Sequence, residues 1–216
     1  MVEWSIAAFG GAGVAAIVVA CPRGHAYEPA AAAPAGEGRD AVPDIRVVEG
    51  GATRSASVIN AMRAVETDLV AIHDAARPLL TPELVTGVVA TLAADPDAAG
   101  AIAAAPLADT VKRAPGGSSP ALAGNRPVNA GLVVVETVDR AELWAAQTPQ
   151  VFRVEALREA LKGDSGKVAA ATDEATLVEA AGGRVLIHPV EAENLKVTTP
   201  LDFRVADSLL SERASR

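Results

Sequence analysis

Polar side chains suited to phosphates and hydroxyls stand where apolar runs of this chain stop. Ala71-Ile-His73 leads straight into Asp74 and Arg77 ahead of Pro78, and three more clusters follow: Asp109-Thr-Val-Lys112, Gln147-Thr-Pro-Gln150 and Asn194-Leu-Lys-Val-Thr-Thr199. In an open α/β sheet ligands bind outside the carboxyl ends of the strands, so residues placed there face a site and not a core. Asp74 brings a carboxylate that accepts from hydroxyls or helps hold a metal ion on phosphates. Arg77 brings a planar fork of donors matched to phosphate, and Thr148, before Pro149, a hydroxyl held in an extended conformation. Each has a plainer role beside it. Asp74 and Arg77 equally fit a pair that locks a turn, Arg140 a solvated arginine beside Asp139, and Lys196 a lysine facing water from a strand. His73 reads as structural.

These residues need elements to hold them. Glu3 to Phe9 has helical composition, and Gly10-Gly-Ala-Gly13 follows it and precedes the strand Val14 to Ala20. A phosphate loop follows a strand and opens a helix, so these glycines read as a helix end and turn. Ile45 to Val48 is a strand, Glu49-Gly-Gly51 a tight turn, and Thr53 to Val65 a helix with Thr53 as N-cap. Leu69 to His73 is the next strand. Thr81-Pro-Glu83 starts a helix that runs to about Leu92, and Gly100 to Ala105 is a strand of small residues. Strands near Asp109 to Arg113 and Leu132 to Val138, joined through Pro115-Gly-Gly-Ser-Ser-Pro120, read as a hairpin arm. Trp144 to Phe152 returns to the sheet. Helices are expected at Arg153 to Lys162 and, after a mobile Gly163-Asp-Ser-Gly166, at Asp173 to Ala181 with Thr172 as cap. Strands at Arg184 to Pro189 and Asn194 to Thr198 precede a last helix from Pro200 with an apolar face of Phe203, Ala206, Leu209 and Leu210. The fold class expected is α/β, a three-layer Rossmann-like sheet with a projecting β-hairpin arm at about 110–140, in one domain spanning 1–216.

Composition narrows the partners. At 216 residues with 50% apolar content the chain supports one sizeable core, and with 3% aromatics that core must be Ala, Val and Leu. A formal net charge of −8 argues against nucleic acid or an anionic membrane as the main partner, so an anionic ligand must be met by local basic residues. The single cysteine, Cys21, reads as a small buried filler. With no apolar run near the roughly 18 residues of a membrane span and no leader, a cytoplasmic protein is expected. A metal hydrolase is poorly supported, because His25, His73 and His188 form no close-spaced ligand pair. Glu28 to Gly38, rich in Ala and Pro, reads as a surface loop.

The set resembles the 2-C-methyl-D-erythritol 4-phosphate cytidylyltransferases of the non-mevalonate isoprenoid pathway. The likeness runs from Trp4 almost to the C-terminus through Gly50-Gly51 with Thr53-Arg54 and Ser57, the His73 to Pro78 run, Asp109-Thr110, Thr137-Val-Asp-Arg140, Ala146 to Phe152, Thr172-Asp-Glu-Ala175 and Lys196 to Pro200. It implies cytidylyl transfer from CTP to the polyol phosphate, with Mg²⁺ and with Asp74 as a potential metal contact. It implies Gly50, Gly51, Ser57, Asp74 and Ala75 at the nucleotide. Asp74, Arg77, Thr110, Thr148 and Thr172 fall at the substrate, and Arg140 and Lys196 are the pair that positions its phosphate. It also implies a homodimer in which the arm, with Thr110 and Arg140, completes the neighbouring site. Cytidylyl transfer to another polyol phosphate such as ribitol 5-phosphate, and a silent homodimeric nucleotide binder, are the alternatives. Members of the family begin with a strand and a Gly-rich loop with Arg, followed by Lys, that holds the CTP phosphates, whereas this chain opens at Met1-Val-Glu-Trp-Ser5, in the helix after it. A strand-loop-helix unit of about 30 residues is therefore expected to be missing, and the polypeptide alone to turn over little or no CTP.

Overall fold

Hydroxyls placed ahead of a proline or a helix-forming run start three of the helices. Thr53 accepts from the Ala56 amide at the head of α2 (Arg54–Met62), Thr81 from the Leu84 amide at α3 (Pro82–Ala93), and Thr199 from the Asp202 amide at α7 (Pro200–Ala214). In α7 Asp202 answers by accepting from the Thr199 amide, which closes a capping box. These bonds, first among them those from Thr198, hold the Asp202 carboxyl down at about 2.

A computed structural model describes residues 1–25, 27–28, 43–114, 132–191 and 194–215. The Ala/Pro tract beyond Glu28 and the Pro115 to Pro120 tip lie outside the described residues. The other elements are α1 (Val2–Gly11), β1 (Ala16–Cys21), β2 (Asp44–Glu49), β3 (Leu69–Ile72), β4 (Gly100–Pro106), β5 (Val111–Arg113), β6 (Glu136–Val138), β7 (Trp144–Arg153), α4 (Val154–Leu161), α5 (Ser165–Ala170), α6 (Glu174–Ala180) and β8 (Val185–Pro189). The chain divides into two compact units, Met1–Ala104 with Ala146–Arg216, and Ala105–Ala145.

In the larger unit a four-stranded mixed sheet has the order β3-β7-β4-β8, with β3 antiparallel to β7 and β4 parallel to β8. Its residues alternate between two apolar clusters, as a sheet covered on both faces requires. Val70, Ile72, Ile102 and Phe152 pack with Met62 of α2, Leu157 of α4 and Val178 of α6. Leu69, Ala71, Ala101, Ala103 and Val151 pack with Val88 and Leu92 of α3. Gly100 lets Phe152 in, since a Cβ there would stand 2.4 Å from the ring.

The strand ladder of the larger unit is broken in two. β1 pairs in parallel with β2 alone, and β3 with β7 alone, so among the described residues each keeps one open ladder edge. Ile17 of β1 and Ala71 of β3 nevertheless pack on the same cluster of Ala8, Phe9, Leu80 and Val85. The apolar strand β1 is correspondingly only half-buried, apart from Cys21 at its end. Amides on the open edges of β1 and β3 should exchange with solvent far faster than those of β4, which is flanked on both sides. Protection in β1 equal to that in β4 would contradict the broken ladder.

Several expected elements need correction. Asn194 to Thr198 is not a strand; its one ladder-like bond runs from the Val197 amide to the Ala76 carbonyl at 2.7 Å. The segment read as mobile at 163–166 instead starts α5, whose Lys167 amide is capped by Asp164. The cap of α6 is Asp173, accepting from the Thr176 amide, and not Thr172. α7 meets the unit through Ala206 and Leu210, four residues apart, while Phe203 stays 53% exposed. In the smaller unit β5 and β6 pair antiparallel, as a hairpin requires, with Lys112 Nζ donating to Thr137 and Arg113 paired with Glu136.

Candidate active site

Asp74 lies two residues beyond the end of β3, and two cations share its carboxylate. Arg54 Nε donates to Oδ1 at 3.0 Å and Lys196 Nζ to Oδ2 at 2.7 Å. Arg54, the first residue of α2, also reaches the first residue of α6. Its Nη1 lies 2.7 Å from both carboxylate oxygens of Glu174, whose side chain is 0% exposed. The result is a line of alternating charge, Glu174–Arg54–Asp74–Lys196, running from the interior to a lysine side chain that is 44% exposed. Burial pushes the Glu174 carboxyl up, and Arg54 draws it back only in part. Burial also works to raise Asp74, but the bonds and charges of Lys196 and Arg54 outweigh it and hold Asp74 below the ordinary carboxylate value. For Arg54, burial is outweighed by the bonds and charge of Glu174 and Asp74, which hold it above the ordinary arginine value.

The backbone of Asp74 is fixed from β7. Its amide donates to Thr148 Oγ1 at 3.1 Å, and the same hydroxyl lies 3.0 Å from His73 Nδ1. His73 Nε2 lies 3.1 Å from the Arg77 carbonyl, which only accepts, so Nε2 carries the proton and Nδ1 takes the Thr148 proton. His73 is thus neutral, and burial lowers its pKa to about 4. Thr148, expected at the substrate, holds the Asp74 amide and His73 within the fold. It is 4% exposed, with its proton committed to His73. The unfolded chain protonates first, near 6.5, so this histidine costs no stability above that pH. Stability should fall as pH drops from 6.5 to about 4, by a total on the order of 3 kcal/mol. Denaturant unfolding across that range checks this; a slope unchanged in His73→Gln would contradict it.

Beneath the site lies a buried polar layer. Gln150 Nε2 donates to Asp173 at 3.0 Å while its Oε1 accepts from the Ala175 amide, and Asn194 Nδ2 donates to Gln147 Oε1 and to the Thr148 carbonyl. Arg77 Nη1 donates to the Asn194 carbonyl at 2.7 Å. No Asp74–Arg77 ion pair is present among the described residues.

The glycine turn behaves as tight packing demands. The Gly50 amide donates to the Cys21 carbonyl at 2.7 Å and the Gly51 amide to Ser57 Oγ at 3.0 Å, while Ser57 donates to the Thr53 carbonyl. A Cβ on Gly51 would stand 2.3 Å from that of Ala56. The two amides are spent within the turn. Ala75 and Thr172 are exposed, as are Thr110 and Arg140, which lie in the smaller unit. The site that the sequence was expected to gather is therefore gathered in part: Asp74, Lys196 and the support of Thr148 stand together. Arg54 and Glu174 were missed as site residues, although both sit in the stretches that carry the resemblance.

With Lys196 and Arg54 in place, Asp74 has no oxygen open to Mg²⁺. Both carboxylate oxygens are engaged by cations, and a divalent ion needs several oxygen ligands. Among the described residues no three His, Cys, Asp or Glu side chains are grouped to hold a metal. No helix is long and apolar enough to cross a membrane, among the same residues.

A mixed sheet with helices packed against it, and charged side chains gathered where a strand ends, is the α/β layout in which ligands bind at the carboxyl ends of the strands. Comparison with known proteins agrees with that class and narrows it. The model of the IspD family, 2-C-methyl-D-erythritol 4-phosphate cytidylyltransferase, matches residues 1–212. A 2-C-methyl-D-erythritol 4-phosphate cytidylyltransferase of Burkholderia multivorans is 40% identical over 172 residues, covering 77% of this chain and 66% of the relative. One of Ralstonia nicotianae is 41% identical over 186 residues, covering 83% and 68%. The crystal structure of the cytidylyltransferase from Thermus thermophilus superposes with a TM-score of 0.74 at 31% identity, covering 95% of this chain and 86% of that one. The chain belongs to the IspD family. It spans about two thirds of the length of these curated relatives.

Proposed function

We propose that the protein carrying this chain transfers a cytidylyl group from CTP to 2-C-methyl-D-erythritol 4-phosphate. An oxygen of the sugar phosphate attacks the α-phosphorus of CTP; the new P–O bond forms as the bond to the β-phosphoryl oxygen breaks, and pyrophosphate leaves with that electron pair. The attacking group is already an anion and needs no base, so the protein's task is alignment and charge neutralisation.

The observation that carries this reading is the exposed Lys196 ammonium resting on Asp74, with Arg54 behind it. An incoming phosphate draws Lys196 off Asp74, and Asp74, still balanced by Arg54, becomes free to accept from sugar hydroxyls. Gly50, Gly51, Ser57 and Ala75 border the nucleotide. Thr110 and Arg140 act from the second copy of a homodimer, and Thr172 borders the sugar. Mg²⁺ enters this reading from the resemblance, as a companion of the CTP phosphates, and no residue of this chain is assigned to it. Lys196→Gln should raise the KM for the sugar phosphate severalfold more than that for CTP. Equal rises for both substrates would count against Lys196 as the sugar-phosphate ligand.

A further inference from the structure

The segment that carries Lys196 lacks a strand's ladder, yet its lysine must meet a phosphate at a defined place. Asn194, two residues earlier, is 5% exposed. Its Nδ2 donates to Gln147 Oε1 at 2.9 Å and to the Thr148 carbonyl at 2.8 Å, and its own carbonyl accepts from Arg77 Nη1 at 2.7 Å. Its Oδ1 is buried without a partner, so all the work of this side chain is done by its donors. One residue past Lys196, the Val197 amide bonds to Ala76, which neighbours Arg77. Both ends of the lysine segment are therefore tied to the loop after β3, and one of the two ties runs through Arg77.

Arg77 itself is poorly placed to clamp a phosphate. A bidentate grip takes two N–H groups on one side of the fork. Here one N–H of Nη1 is bonded to the Asn194 carbonyl and Nε is buried without a hydrogen-bond partner, so the Nε side of the fork is closed to a phosphate.

Resting on the reading that Lys196 meets the sugar phosphate, we propose that Arg77 and Asn194 form an internal lock that positions Lys196, and that Arg77 is a positioning residue and not a phosphate ligand. Asp at 194 would keep the idle oxygen, remove both donors and set a carboxylate against two oxygens.

The test is amide exchange at Val197, read by NMR without any ligand, in Arg77→Gln, Asn194→Asp and the double variant, followed by steady-state kinetics. Each single change should speed Val197 exchange roughly tenfold or more. The double should fall well short of the product of the two, because both break one lock. Arg77→Gln should also raise the KM for the sugar phosphate while leaving that for CTP nearly unchanged. Wild-type exchange in a folded Arg77→Gln variant would overturn the lock. Since Arg77 is only half-buried, that variant carries the test even if Asn194→Asp does not fold. Faster exchange with an unmoved sugar-phosphate KM would leave the lock standing and refute the role of Lys196 instead.

Discussion

Arg54→Ala is expected to destabilise the fold by roughly 3–5 kcal/mol at neutral pH, because it leaves the fully buried Glu174 carboxylate without a counter-charge. The loss should depend on pH in a direction fixed by Glu174. Deprived of Arg54, that carboxyl has its folded-state pKa raised far above the unfolded value, so the variant loses stability as pH rises past the ordinary carboxylate range and regains it on acidification. Adding Glu174→Gln should return part of the loss at neutral pH, since a neutral amide no longer needs the guanidinium. Chemical denaturation of the wild type and the three variants at pH 5 and pH 8 reads both effects. A double variant no more stable than Arg54→Ala would mean that the ion pair is not the source of the cost.

The second large effect concerns activity. Arg140→Ala and Lys196→Ala should each lower turnover by about a hundredfold or more, as removal of a group that aligns or neutralises a transferring phosphate does. Arg140 lies in the smaller unit, exposed and with no side-chain partner among the described residues, which suits a group that acts on something outside its own unit. Mixing the two inactive variants should then recover part of the activity, because a heterodimer holds one site with both residues intact. Confirmed subunit exchange without recovery would sink the shared site.

Much of the scaffold could be read from the chain because its signals are local. Thr53, Thr81 and Thr199 announce helix starts through hydroxyls and prolines within a few residues, and the apolar runs at Leu69, Gly100 and Trp144 became strands. The misreadings share a cause. Asn194 to Thr198 alternates like a strand, but alternation specifies a strand only where a partner ladder exists, and here a single bond to Ala76 replaces one. Gly163 and Gly166 suggested a loose loop, while the Asp164 cap is enough to start a short helix between them. The pairing of Arg54 with Glu174 spans 120 residues, and no local pattern records it. The bonds of the Thr148 hydroxyl to His73 and Asp74 likewise span more than seventy residues and leave no local pattern.

The most direct measurement is pyrophosphate release from CTP by the protein carrying this chain, with 2-C-methyl-D-erythritol 4-phosphate or ribitol 5-phosphate as acceptor and Lys196→Ala beside the wild type. Release is expected with 2-C-methyl-D-erythritol 4-phosphate, much less with ribitol 5-phosphate, and near-loss in the variant. Preference for ribitol 5-phosphate, or a rate with 2-C-methyl-D-erythritol 4-phosphate that Lys196→Ala leaves unchanged, would contradict that expectation.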